Sequence, residues 1–474
     1  AGASGEGRLL NVTDEREGKG EGLHVTLLEQ NGLLHADLRI GANVAAAMAL
    51  AANSGLASRG FQLIGAGFIV SPEEATRLEA DAPIKPYRNG RDLTERPRGV
   101  KVIDLYGLST DEVRARFPAT YQWVLERVKP ERDQNARAGY RNNWWIFGEA
   151  RRDLRSTLVG LPRYVATVET AKHRAFQFLA AEIAADNKLV CIALSDAFHL
   201  GVLSSHTHVA WALATGSTLE DRPVYVKTAG FEKFPFPAAT PEQTTRIRDL
   251  AEQLDAHRKR QQAAHETLTL TGMYNVLEKL KSGEALTAKE KVIHEHGLVS
   301  VLKTLHDELD AAVLAAYGWG DLAPLLADAA QKEAASETLL VRLVALNAER
   351  AAEEAKGQIR WLRPEYQHPA GKPANAGAAN ALAEEADQDA ATGDDTTKVA
   401  STAATPRDPW PASLPEQVAA VARVLAASSA PLTLADLAAR FTGKGPWKKR
   451  LPQIIDTLEA LGRARRDVEG RVVG

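Results

Sequence analysis

Residues 201–211 read Gly-Val-Leu-Ser-Ser-His-Thr-His-Val-Ala-Trp, and residues 227–237 read Lys-Thr-Ala-Gly-Phe-Glu-Lys-Phe-Pro-Phe-Pro. A mostly apolar run, Leu189 to Leu203, broken by Ser195, Asp196 and His199, leads into the first and predicts two short strands around a turn. The polar cluster Ser204, Ser205, His206, Thr207, His208 then opens a helical pattern over Val209 to Leu213. Free backbone N–H groups at a helix start can hold an anion, so a phosphate suits this place. Phe231 to Pro237 mixes aromatic residues with prolines, which exclude both helix interior and central strand, and predicts an extended stop before the helices that follow.

The words Leu-Ser-Ser-x-x-His-x-x-Trp-Ala-Leu (203–213) and Phe-x-x-Phe-Pro-Phe-Pro (231–237) resemble the end of the target recognition domain of MmeI-like restriction-modification enzymes and related adenine-specific DNA methyltransferases. Lys85 to Asp92, Val128 to Gln134, Asn143 to Gly148 and Pro162 to Lys172 are similar to the same family in the same order, as is the later Leu309 to Trp319. The resemblance runs through residues 1–365 and continues more weakly in the C-terminal segment. It implies that the intact protein transfers a methyl group from S-adenosylmethionine to adenine N6. It also implies that the catalytic domain lies before Ala1, so the chain, which starts without methionine, reads as a fragment or processed product.

The net charge of −3 averages over unlike regions. Residues 85–174 hold 19 Lys and Arg against 11 Asp and Glu, an excess of 8, which leaves the remainder at −11. A basic, aromatic-rich domain on acidic neighbours is the asymmetry that phosphate binding requires, although a solvated surface laced with ion pairs gives the same count. The single cysteine, Cys191, sits in an apolar run, so disulfides within the chain are excluded and a buried thiol is expected. With no signal-like leader and no apolar run long enough to span a bilayer, the expected setting is cytoplasmic, with no membrane partner.

The fold class expected is α+β: a mixed α/β target recognition domain, an α-helical bundle and a small winged-helix-like C-terminal domain. The boundaries are a connector at 1–54, the recognition domain at 55–240, the helical domain at 241–364, a flexible acidic linker at 365–408 and the last domain at 409–474. Residues 1–22 read as loose, and His24 to Leu28 with Leu33 to Leu38 as a hairpin around Asn31-Gly32. Ser71-Pro-Glu-Glu opens a helix, Pro86, Asn89 and Gly90 make a turn between Arg88 and Arg91, and Pro118 divides a helix over Ser109 to Arg127. Lys129, Arg132, Arg137 and Arg141 would give the next helix a basic face. Trp144, Trp145 and Phe147 read as core. In the C-terminal domain, three helices over Leu414 to Leu461 and a hairpin around Glu469-Gly470 match a winged helix, with Lys448, Lys449, Arg450, Arg463, Arg465 and Arg466 as its cations. Such a module serves either DNA or protein contact.

Catalytic chemistry is missing from this text. Adenine methylation in the family uses an Asn/Asp-Pro-Pro-aromatic motif, and none occurs. The glycines of Gly60 to Val70 sit inside a strand-like run and read as bulges, without the strand-turn-helix context of a cofactor loop. Glu354-Ala-Lys356 has the letters of a nuclease motif inside a long Ala/Glu helix, and His206/His208 and His294/His296 lack further ligands for a metal. Readout of double-stranded DNA remains. The resemblance implies base-reading residues in the segment of Glu220-Asp221-Arg222, whose bland alternative is a surface ion pair. Arg88, Arg91, Ser204, Ser205, His206 and Lys227 are further phosphate or base candidates. S-adenosylmethionine is expected upstream of this chain, with no cofactor, metal or catalytic residue within it. The other reading is a non-catalytic specificity or scaffold subunit beside a separate methyltransferase, with further defence-system proteins as partners.

Overall fold

The structure is a computed structural model, and it describes residues 5–17, 23–34, 41–219, 222–369, 408–410, 414–426, 433–442, 450–460, 464–466 and 472–473. The chain divides into two units, Ala1–Glu384 and Glu385–Gly474. The first begins with a long antiparallel pair, β1 (Gly5–Glu17) and β2 (Leu23–Leu34). Gly7 faces Gly32 and Arg8 faces Asn31 within the ladder, so Asn31-Gly32 is paired strand and not the turn of a hairpin. The stretch that composition marks as loose is therefore largely strand.

Eight short strands follow: β3 (Ala57–Arg59), β4 (Ile69–Val70), β5 (Ile84–Arg88), β6 (Lys101–Ile103), β7 (Arg163–Val168), β8 (Gln177–Ala180), β9 (Ala184–Ala185) and β10 (Leu189–Ile192). They form two four-stranded sheets, ordered β3-β10-β7-β8 and β4-β6-β5-β9. Side chains alternate across a strand, and β10 uses both faces. Val190 and Ile192 enter a core shared with the later helices, whereas Leu189 and Cys191 enter a second core with Phe68, Val102, Ile103, Tyr164 and Trp144. Cys191 is fully buried, and burial pushes its thiol up to about 12.

Small helices fill the edges of this second core: α1 (Pro72–Ala75), α2 (Gly90–Thr94), α3 (Thr110–Arg116), α4 (Pro118–Arg127), α5 (Lys129–Asp133), α6 (Ala138–Asn142) and α7 (Arg152–Leu158). Ser71, Asn89 and Ser109 each close a capping box with the acidic residue three places on, which satisfies first-turn amides. Pro86 lies within β5, and the chain then enters α2 through the Asn89 cap, so the expected turn is a strand end and a helix start. The basic face is also corrected. Arg132 is completely buried, and its guanidinium donates to the carbonyls of Leu63 and Ile146, both at 2.7 Å, and of Ile64.

After β10 the chain turns into helix, not a second strand: α8 (Ala197–Ser204) and α9 (His206–Thr215). Asp196 caps α8 by accepting from Phe198 N at 2.9 Å, and Arg248 holds its carboxylate at 2.7 Å. Gly201 allows α8 to lie directly on the next long helix, since a Cβ there would meet Ile247 Cγ2 at 2.6 Å. Between them run an exposed hairpin, β11 (Ser217–Leu219) and β12 (Arg222–Val224), and a π-helical turn, Lys227–Phe231. The bundle is α10 (Pro241–Ala264), α11 (Leu270–Ser282), α12 (Ala288–Gly297), α13 (Val299–Ala316), α14 (Ala323–Ala327), α15 (Lys332–Ala355) and a last turn, α16 (Pro364–Gln367). The α13 stripe Leu302, Leu305, Leu309 and Val313 is buried, each side chain contributing on the order of 2 kcal/mol. Glu354, which carries the nuclease-like letters, accepts from the backbone of Ala51 and Ala52 at 2.7 and 2.9 Å.

The second unit holds α17 (Leu414–Ala426), α18 (Leu434–Ala439) and α19 (Leu451–Ala460), then β15 (Arg465–Arg466) paired antiparallel with β16 (Val472–Val473). A parallel contact, β13 (Asp408–Pro409) with β14 (Phe441–Thr442), adds to it, and Val421, Leu425, Leu437, Ile454 and Leu458 form its core. Residues 370–407 of the expected linker, Lys448, Lys449 and Arg463, and the side chains of Arg465 and Arg466, lie outside the described residues.

Candidate nucleic-acid interface

Ser204, Ser205 and His206 do not form an anion site. Ser204 is 6% exposed and Ser205 0%, with the Ser205 hydroxyl donating back to the Val202 carbonyl at 2.7 Å. The helix start they flank is closed from within, because His206 N donates to Asp310 Oδ1 of α13 at 2.6 Å. An internal carboxylate thus occupies the place where a phosphate was expected. His206 Nε2 is 3.4 Å from Ser336 Oγ, and the fully buried His208 is 3.0 Å from the Tyr225 hydroxyl. Burial lowers His206 to about 4 and His208 to about 3, so both rings are neutral at pH 7. Lys227 is mostly buried and pairs with Glu232 at 3.3 Å. The Ser/His-rich word is a packing junction between α9, α13 and α15.

Other cations converge elsewhere, through a continuous run of backbone hydrogen bonds. Asp186 N donates to Arg88 O at 2.8 Å, which sets the turn after β9 against the end of β5. Glu169 N donates to Lys188 O at 2.8 Å, joining that turn to the end of β7. Tyr225 N donates to Glu169 O at 2.7 Å and Ala171 N to Pro223 O at 3.3 Å, joining β7 to the β11–β12 hairpin. The end of β5 and the strand bearing Arg222 are thereby linked through the turn after β9 and the end of β7, although 134 positions separate Arg88 from Arg222 in the chain.

Within this rim Arg222 is exposed on β12, opposite Leu219. Arg88 is half-buried, with Nη1 donating to the Tyr87 carbonyl at 3.0 Å, and Arg91 is exposed and paired with Glu95 at 3.0 Å. Two cations that sequence reading missed stand there as well. Arg59 and Lys188 share the single carboxylate of Glu169, the lysine at 3.3 Å, while their own side chains are 54% and 68% exposed. Asp186-Asn187-Lys188 between two apolar runs is the turn signal that could have exposed Lys188. Arg59 has no local signal, because only the β3–β10 pairing brings it to Glu169. Glu220 and Asp221 lie outside the described residues. Two exposed cations share one carboxylate near an exposed hairpin, an arrangement suited to an anionic polymer.

The glycine-rich run at Gly60 to Val70 is packed against neighbouring backbone. A Cβ at Gly60 would run into the carbonyls of Ala185 and Asp186, and one at Gly67 into the Arg127 carbonyl. These glycines are taken up by close backbone approach inside the domain. Among the described residues no group of three His, Cys, Asp or Glu is placed to hold a metal ion, and no helix is long and apolar enough to cross a membrane.

No curated protein matches the chain. Its structure is similar to that of the Type IIL restriction-modification enzyme MmeI, solved in complex with DNA, with a TM-score of 0.52 and 16% identity, over 69% of this chain and 40% of that one. The likeness is one of fold, an α+β mixture, and the chain spans about two-fifths of the length of that structure. The family model described as "MmeI, target recognition domain" matches residues 72–238, the span that holds Arg88, Arg91, Lys188 and the β11–β12 hairpin. Residues 72–238 thus carry the match to the MmeI target recognition domain.

Proposed function

We propose that this chain is the DNA-sequence recognition portion of an adenine-N6 DNA methyltransferase acting in restriction-modification or phage defence. The observation that carries the reading is the coincidence of the matched recognition domain with the cationic rim around the β11–β12 hairpin. Arg222, together with Glu220 in the same segment, reads base edges: an arginine fork suits the two acceptors of guanine, and a carboxylate accepts from the cytosine amino group. Arg59, Lys188, Arg88 and Arg91 sit on phosphates, which fix register without reading sequence. The rest of the intact protein supplies S-adenosylmethionine and the methyl transfer, while this chain's residues bind and orient the duplex. The absence of an Asn/Asp-Pro-Pro-aromatic word from these residues equally favours a specificity subunit beside a separate methyltransferase. The C-terminal unit, with its three helices and terminal strand pair, acts as a winged helix on DNA or on a partner protein.

The test is binding of the purified chain to a randomised duplex pool, followed by a salt titration on the selected site. An enriched motif with steep salt dependence supports the reading. Recovery of an unselected pool with no salt dependence contradicts it. The reading frame upstream of Ala1 separates the two forms: a cofactor loop and an Asn-Pro-Pro-aromatic word in frame select the first, and a start codon near Ala1 selects the second.

A further inference from the structure

Arg174 lies in the turn after β7 and is 9% exposed. Its guanidinium donates to Thr167 Oγ1 at 3.2 Å, to the carbonyls of Val168 and Glu169, and across to the Pro223 carbonyl at 3.1 Å. It also lies 5.2 Å from the centre of the Tyr225 ring, whose hydroxyl meets His208. No carboxylate among the described residues pairs with it: the Glu169 side chain is turned to Arg59 and Lys188. Burial lowers its pKa to about 10, yet it remains a cation at neutral pH.

A buried charge without a counter-charge costs several kcal/mol unless hydrogen bonds offset it. Here the acceptors lie on two separate segments, the end of β7 and β12. That is the joint by which the hairpin is attached, where Thr170 faces Val224 and the amides of Ala171 and Tyr225 cross to Pro223 and Glu169. The planar fork of an arginine serves both sides from two nitrogens at once, whereas a lysine presents all its donors from one.

We infer that Arg174 is a positioning residue for base reading: its fork fixes the β11–β12 hairpin to the end of β7 and so sets where Arg222 meets the duplex. The inference rests on the proposed reading for its consequence on DNA, and on geometry alone for its mechanical part.

Two measurements on the full chain test it. Hydrogen exchange compares the wild type with Arg174→Gln and Arg174→Lys, and needs no DNA. The Ala171 and Tyr225 amides exchange about tenfold faster or more in both variants, while α13 amides keep their protection. Unchanged protection at Ala171 and Tyr225 overturns the inference. Binding then compares the preferred duplex with an unrelated one. Both variants lose about tenfold in preference, while affinity for the unrelated duplex stays within about twofold. An even loss on both duplexes, or an intact preference, contradicts the role.

A rescue guards against simple misfolding. Thr170 and Val224 form the narrow, non-hydrogen-bonded kind of antiparallel pair, with Cα atoms about 4.5 Å apart, which a disulfide can span. Thr170→Cys with Val224→Cys in the Arg174→Gln background restores the preference when oxidised and loses it when reduced. Failure of the oxidised form to recover it overturns the proposal. If the wild type itself prefers no duplex, the proposed function falls, and hydrogen exchange still decides whether Arg174 holds the joint.

Discussion

The backbone N–H of His206 and the carboxylate of Asp310 lie 2.6 Å apart, so the first turn of α9 is closed by a side chain from α13. Removing that acceptor leaves a first-turn amide unpaired and breaks a charge-assisted bond, a loss of about 2–3 kcal/mol. Asp310→Ala should lower the urea midpoint accordingly, and Asp310→Asn, which keeps an acceptor, should cost about half as much. A change below about 0.5 kcal/mol for Asp310→Ala would show that the contact carries no stability.

Acid should destabilise this junction. His199, His206 and His208 are pushed below their ordinary value by burial, to about 4, 4 and 3. A depressed histidine contributes stability that is complete above the unfolded value near 6.5 and is lost as pH falls toward the folded value. Asp310 runs the other way: burial raises its carboxyl to about 6, so its contribution is complete below about 3.8 and fades as pH rises toward 6. Three histidines outweigh one carboxylate, and each net proton is worth about 1.4 kcal/mol per pH unit. Thermal midpoints should therefore fall between pH 7 and pH 5; a flat or rising profile contradicts the neutral-histidine core.

Arg132 and Arg137 belong to the one basic face expected from the sequence but should behave oppositely. Arg132→Met leaves the Leu63 and Ile146 carbonyls without their donor inside the recognition-domain core, at a cost of at least about 3 kcal/mol. Arg137 is exposed and bonded to the Tyr140 hydroxyl at 2.9 Å, so Arg137→Ala should stay within about 0.5 kcal/mol. Denaturant midpoints of the two variants check this, and equal shifts would remove Arg132 from its structural role.

Local signals in the sequence were dependable where one residue's chemistry decides the backbone. The helix opened by Ser71 and the division of the 109–127 helix at Pro118 were legible for that reason. Reading failed where long-range pairing decides. Asn31-Gly32 has the letters of a turn but is held in a ladder by its partner strand. The apolar run through Leu203 bends into α8 because Asp196 caps it and α10 covers it. Polarity misled most at Ser204 to His208 and at Arg132, since a polar word looks the same whether its partner is water or a buried carbonyl. Of the proposed rim, Arg88, Arg91 and Arg222 were readable as cations beside turn signals, although the structure puts them in β5, α2 and β12. Arg59 and Lys188 join them only through the Glu169 carboxylate, which no spacing reveals.

The central claim is that the hairpin reads bases while the surrounding cations hold the backbone, and one set of binding isotherms tests it most directly. Wild type, Arg222→Ala and Lys188→Ala are titrated against the preferred duplex and its single base-pair substitutions at several salt concentrations. Arg222→Ala should lose about 1–3 kcal/mol of discrimination at one position only, whereas Lys188→Ala should weaken all duplexes alike and reduce the salt slope by about one. Equal, salt-independent binding to every duplex by the wild type, or unchanged discrimination in Arg222→Ala, would contradict the account.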